Sequence, residues 1–232
     1  MTKIEFQARL REVRARMGEA AQRSGRDSAE IQLVAISKGQ PLEAVRIALE
    51  SGHTCFGENR VQEARDKIQA LGAGCSWHLV GHLQSNKARS AAQLFDTVHS
   101  VDSGGLVTRL EQACSELGRR LEVFVQVDLA DELTKFGVPP AELPDVLQAL
   151  GNAPHLIPVG LMVLPPFFEN AEQVRPYFRR LRELLEQQRR SYPALQPMNG
   201  LSMGMSHDFE VAVEEGATHV RIGTALFGAR ST

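Results

Sequence analysis

Two periodicities alternate along the chain. Short aliphatic or β-branched runs read as buried strands over residues 31–37, 53–57, 77–81, 97–101, 121–128, 156–163, 200–203 and 218–223. Between them, apolar residues recur at helical spacing over 41–52, 60–72, 104–118, 140–151 and 171–190. Pro41 stands early in its helix, and Gly52, Gly72, Gly118, Gly151 and Gly216 stand just past helix ends. An amphipathic, charged helix precedes the first strand. Eight strands, each but the last followed by a clear helical segment, imply a parallel sheet. The count and the length predict a (β/α)8 TIM barrel with an extra N-terminal helix, with a doubly wound open sheet as the alternative. No Gly/Ser linker or low-complexity block interrupts the pattern, so residues 1–232 are expected to form one domain.

Composition narrows the partners. The 232 residues are 43% hydrophobic and 23% charged, ordinary values for a globular chain that needs no covalent staples. A formal net charge of -2 leaves no basic footprint, so neither nucleic acid nor a membrane is an expected partner. Cys55, Cys75 and Cys114 are odd in number and far apart, which predicts reduced thiols and a cytoplasmic setting. The N-terminal helix carries Glu5, Glu12 and Glu19 and lacks the apolar run of a signal peptide. No stretch approaches the ~20 apolar residues of a membrane span. The exposed helix faces are unremarkable, and a monomer is the expectation. Six arginines between Arg175 and Arg190 fit a solvated outer helix whose Tyr177, Phe178, Leu181, Leu184 and Leu185 turn inward.

In a barrel of this kind, chemistry gathers at the C-terminal strand ends. There the chain places Lys38, Glu58, Asn59, His82, Ser100, Asp102, Asp128, Met162, the run 202–206 and the run 221–224. Lys38 directly ends an apolar strand; desolvation lowers an amine's pKa and suits it to Schiff-base chemistry with an aldehyde or ketone. Ser206 precedes a helix, where it fits an N-cap or an anion contact. The backbone N–H groups at Gly223 and Thr224 lie where phosphate sites of such barrels are frequent. Arg221 alternates with Val220 and Ile222 and so faces inward, where a guanidinium needs an acceptor. A lysine for an aldehyde, a cradle for phosphate and an arginine for a ring nitrogen describe a pyridoxal phosphate site.

The stretches "LVAISKGQP", "FGENRVQE", "WHLVGHLQSNK", "VHSVD", "TKFG", "LSMGMSHDFEVAVEEG" and "VRIGTALFG" run in order through nearly the whole chain. Through them the sequence resembles the stand-alone pyridoxal phosphate homeostasis proteins, whose fold is like the N-terminal barrel domain of alanine racemase. The resemblance implies Lys38 as the Schiff-base lysine and Arg221 facing the pyridine nitrogen. It further implies phosphate contacts from Ser202, Ser206, Gly223 and Thr224, with Asn59 and Met162 near the cofactor. Its departures are Gly39 and Gln40, where the family often reads Thr-Lys, and Arg60, where Tyr is common. The implied function is binding, storage or delivery of pyridoxal 5'-phosphate, with apo-forms of enzymes that use this cofactor as partners.

Other readings fare worse. An arginine accepts no proton, so the ring nitrogen stays unprotonated and the ring is a weaker electron sink. A racemase needs two bases, and in alanine racemase a second domain and subunit complete the tyrosine base. Here the chain runs four residues past Gly228, and Tyr177 and Tyr192 fall in or just after an outer helix. A racemase-like enzyme therefore ranks second, and a cofactor-free Schiff-base aldolase using Lys38 third. "GLSMG" at 200–204 matches a nucleophile elbow, but no acid-then-histidine order has room after it. His78 and His82 mimic a zinc pair, yet they fall on a strand, where i and i+4 do not converge, so no metal is expected.

Overall fold

The computed structural model describes residues 1–130, 136–192 and 197–228. Eight strands form the centre: β1 (Gln32–Ile36), β2 (Cys55–Glu58), β3 (Ser76–Leu79), β4 (Thr97–Val101), β5 (Leu121–Gln126), β6 (Leu156–Met162), β7 (Gly200–Met205) and β8 (His219–Ile222). Every neighbouring pair is parallel, and β1 pairs with β8, so the sheet closes in sequence order. Closure leaves no exposed sheet edge. Helices α1 (Lys3–Arg23), α2 (Leu42–Glu50), α3 (Val61–Leu71), α4 (Ala88–Leu94), α5 (Gly104–Leu117), α6 (Leu143–Gly151), α7 (Arg175–Ser191), α8 (Phe209–Glu214) and α9 (Thr224–Phe227) surround it.

The barrel and the extra N-terminal helix are those the pattern predicts, with three local differences. Four-residue α9 follows the last strand, and Gly151 closes α6 from inside. Ser100 lies within β4, one residue before its end.

Helix α1 starts in a capping box, Thr2 bonding the Glu5 N–H and Glu5 returning to the Thr2 N–H. It lies against α2, α8 and α9 and seats Phe6 against Phe227, ring centroids 5.6 Å apart. Helix α7 buries Phe178, Leu181, Leu184 and Leu185, while Arg175, Arg179 and Arg182 bond Glu215 of the neighbouring segment.

Strand alternation sorts the residues into two environments. Leu33, Ala35, Phe56, Val123, Leu201, Val220 and Ile222 face the helices in the main core, whereas Val34, Ile36, Cys55 and Val80 form a small separate cluster inside the barrel. Strands β6 and β7 approach so closely that a Cβ on Gly160 would sit 1.8 Å from the Gly200 carbonyl oxygen. Among the described residues, no helix is long and apolar enough to cross a membrane.

Candidate functional site

Strand β1 delivers Lys38 to the C-terminal mouth. Ser37 and Ala35 share the outward parity, and Ser37 Oγ donates to Glu58 Oε1 at 2.6 Å; Lys38, half-buried, follows on the parity of Val34 and Ile36. The turn around it is held by a buried ammonium. Lys67 Nζ, on α3, donates to Ser37 O at 2.7 Å, Glu58 Oε1 at 2.6 Å and Glu63 Oε1 at 2.8 Å. Those three acceptors match the three hydrogens of an ammonium. Glu63 Oε1 also accepts the Gly39 N–H at 2.5 Å, so both residues flanking Lys38 are tied to one network. Burial raises the Glu58 pKa, with the bonds from Lys67 and Ser37 pulling it back, and its Oε2 is buried without a partner.

Strand β8 brings the second group. Val34 pairs with Arg221 and Ala35 with Ile222, so the next residues, the Lys38 turn and the Gly223–Thr224 turn, emerge side by side. A Cβ on Gly223 would lie 3.5 Å from the Ile36 carbonyl oxygen. Ser206 reaches across to this turn, its Oγ accepting from Gly223 N and Ala225 N, each at 3.2 Å. It is not the cap of α8, which begins at Phe209 after Asp208. A hydroxyl that accepts twice still has its own hydrogen to donate, here at the mouth beside Thr224.

Arg221 faces inward, opposite Val220 and Ile222, and is 4% exposed. Its Nη1 donates to Ser202 Oγ at 2.6 Å and its Nη2 to Val163 O at 2.8 Å. Asp208 acts on it only at a distance, and burial pulls the guanidinium down to about 10. Among the described residues Arg221 has no ion pair, so a buried cation stands at the mouth held by neutral acceptors only. Such a guanidinium, with N–H groups beyond those two bonds, suits a neutral ring nitrogen carrying a lone pair.

The remaining expected residues take varied places. Met162, fully buried, ends β6 opposite Ser202 of β7. Asn59, half-buried, follows β2, and its backbone packs so tightly on Gly81 that a Cβ there would meet Asn59 O at 2.4 Å. Ser202 is the third residue of β7 and 0% exposed; its hydroxyl is engaged by Arg221 and, at 2.8 Å, by His99 Nδ1. Its side chain therefore backs the guanidinium, where a phosphate contact was expected, and it is no exposed nucleophile. His78 and His82 have separate partners: His78 bonds His99, while His82 lies 3.2 Å from Asp102 and stacks on Phe136. Tyr177 lies in the first turn of α7 and packs on Phe168, and Tyr192 caps the other end of that helix. Thr134 and Lys135 of "TKFG" lie outside the described residues.

Two features lie outside the pattern of the sequence, the Lys67 network and the buried pair His78 and His99. The signal for the second is present: His78 and His99 each sit inside an apolar strand, and half-buried His219, which opens β8, shares the parity of Arg221.

Comparisons with known proteins agree with the fold. The model of the family described as alanine racemase, N-terminal domain, matches residues 9–231. The pyridoxal phosphate homeostasis protein of Aquifex aeolicus is 42% identical over 223 residues, covering 96% of this chain and 97% of that one. That of Pseudomonas aeruginosa is 44% identical, covering 95% and 94%. The structure of PipY from Synechococcus elongatus with PLP bound is 40% identical, covers 96% of this chain and 100% of that one, and superposes with a TM-score of 0.86. An alanine racemase of Clostridium difficile shares 13% identity at a TM-score of 0.68 over 57% of its own length, a likeness of fold alone.

Proposed function

The chain belongs to the pyridoxal phosphate homeostasis protein family, and on that premise we propose that it binds pyridoxal 5'-phosphate covalently at Lys38 and serves as a carrier of the cofactor. The carrying observation is Arg221, a buried cation without a carboxylate, at the same barrel end as Lys38 and the Ser206–Gly223 turn. Bound there, the cofactor supplies an aldehyde for reversible capture by an amine and a ring that withdraws electrons. Lys38 provides the amine, and the Lys67 network fixes the turn from which it rises. Ser206 donates its hydroxyl hydrogen to the phosphate, while Gly223 and Thr224 form the floor of that cradle. Asn59 and Met162 line the flanks, and Ser202 acts through Arg221. Arg221 donates to the ring nitrogen and, having no proton to accept, keeps that nitrogen unprotonated.

A carrier is favoured over a catalyst because neither tyrosine belongs to the strands or to the turns that carry Lys38, Ser206 and Gly223, where a second base would stand: Tyr177 belongs to α7 and packs on Phe168, and Tyr192 caps the end of that helix. The enzymes that receive the cofactor are proposed partners, and a monomer in the cytoplasm is the proposed setting. Two measurements test this. Protein reconstituted with pyridoxal phosphate, reduced with borohydride and digested, is expected to carry the label on the peptide containing Lys38. Reconstituted protein that is colourless before reduction, or a label on another lysine, would overturn the assignment. Incubation with an apo-enzyme is expected to restore that enzyme's activity, whereas amino-acid turnover at ~10 per second would make the protein an enzyme.

A further inference from the structure

Behind Arg221 lies a line of buried side chains that the carrier reading leaves unused. Ser202 Oγ is 2.8 Å from His99 Nδ1, and His99 Nε2 is 2.8 Å from His78 Nδ1. His78 Nε2 ends the line, 3.2 Å from Ser76 Oγ and 3.4 Å from Cys55 Sγ. Phe124 stacks on His99 with centroids 4.5 Å apart, which fixes the plane of that ring. All of these groups lie on the inner side of the barrel, where β2, β3, β4, β5, β7 and β8 turn alternate residues toward one another.

The polarity of the line follows from its charged end. A guanidinium only donates, so Ser202 Oγ accepts from Arg221. The Ser202 hydrogen is enclosed in a fully buried residue and needs an acceptor, and His99 Nδ1 is the one in reach. Nδ1 is then bare, Nε2 carries the hydrogen, and it donates to a bare His78 Nδ1. The reverse order would bury the Ser202 hydrogen unpaired and turn the positive ends of two imidazole dipoles toward a cation. Burial keeps the line uncharged: it holds His78 down to about 3 and His99 well below the usual range, and pushes the Cys55 thiol up to about 12. The line thus orients Arg221 with dipoles alone and leaves its charge uncompensated.

We infer that His99, backed by His78, is a positioning residue for Arg221: through Ser202 it aims the guanidinium at the ring nitrogen of the bound cofactor. This rests on the pyridoxal phosphate reading and adds residues that touch neither ring nor phosphate. A carboxylate at the same place would neutralise the arginine; a neutral imidazole holds it by geometry and preserves its pull on a lone pair.

The test has two arms. In the unloaded wild-type protein, nitrogen NMR of labelled histidine is expected to find His99 and His78 neutral, each with a bare Nδ1 and a protonated Nε2. The opposite tautomers would overturn the line, and this arm requires no variant to fold. In the second arm the protein is loaded with pyridoxal phosphate labelled at the ring nitrogen. His99→Leu is expected to shift that nitrogen's resonance and weaken binding about tenfold. His99→Asn, which restores an acceptor near the Nδ1 position, is expected to recover the wild-type resonance. A His99→Leu protein that is less stable but keeps the resonance and affinity would make His99 merely structural and overturn the proposal. Wild-type protein that takes up no cofactor would overturn the carrier reading itself, whereas normal loading with reversed tautomers would overturn the histidine line alone.

Discussion

Acidification from about pH 7 to about pH 5 is expected to remove about 4 kcal/mol of folding stability through two residues, His78 and His99. Both are almost fully buried, at 5% and 0% exposure, and neither has a carboxylate in hydrogen-bonding contact. Burial holds His78 down to about 3, and burial followed by the nearby His78, His219 and Arg221 charges holds His99 well below 6.5. The folded pKa values are depressed, so the unfolded chain binds more protons below 6.5 than the folded one. Stability contributed by the neutral rings is therefore complete above that value and is lost as the pH falls toward the folded pKa. Each ring contributes a slope of ~1.4 kcal/mol per pH unit within the window. His53, lowered by burial, and His219, lowered to about 4, act in the same direction. Glu58 and Asp208, raised by burial, act in the opposite direction, since their protonation relieves a buried charge. Two groups of opposing sign against four leave the loss dominant, and a protein of marginal stability, about 5–15 kcal/mol, is then close to unfolding. Urea melts between these pH values would measure it. A midpoint that stays constant would mean that the histidines are charged in the folded state.

The histidines also mark the limit of what the chain discloses by pattern. The barrel is legible because its outward positions, such as Val123, Val125, Leu201 and Val220, are apolar and alternate, while helices such as α5 and α7 keep their period for several turns. Lys38 and Arg221 are legible because a charged group in or beside an apolar strand has few bland explanations. What the pattern hides is pairing between strands distant in sequence. Ser202 and His99 are 103 residues apart and meet only because the sheet closes; Ser202 therefore reads as a cradle residue when only its loop is considered. Ser206 reads as a helix cap for the same reason, since its partners Gly223 and Ala225 belong to the next strand's turn. Lys67 reads as one more polar residue of an amphipathic helix until β2 and β1 are seen beneath it.

Lys67→Met is accordingly expected to cost about 3–5 kcal/mol, the range for removing one partner of a buried ion pair. Lys67 and Glu58 have side chains only 7% and 0% exposed, so water can replace little of what the ammonium supplies. The loss leaves Glu58 with the Ser37 hydroxyl as its one donor, Oε2 being unpartnered already, and takes the ammonium from the Ser37 carbonyl and the Glu63 carboxylate. At this chain length the melting temperature should fall on the order of 10 °C. Glu58→Leu combined with Lys67→Met removes both charges, and calorimetry should find it less destabilised than Lys67→Met alone, because no charge is left buried. Cofactor binding should behave differently. Lys38 stands between Ser37 and Gly39; Lys67→Met takes the ammonium from the Ser37 carbonyl and from the Glu63 carboxylate that holds the Gly39 N–H, and the double variant also takes Glu58 from the Ser37 hydroxyl. Affinity for pyridoxal phosphate is therefore expected to fall at least ~10-fold in the double variant as well. Stability recovered without affinity would assign the network to holding the lysine's turn. Wild-type affinity in the double variant would show instead that the turn keeps its shape unaided and that the ion pair serves the fold alone.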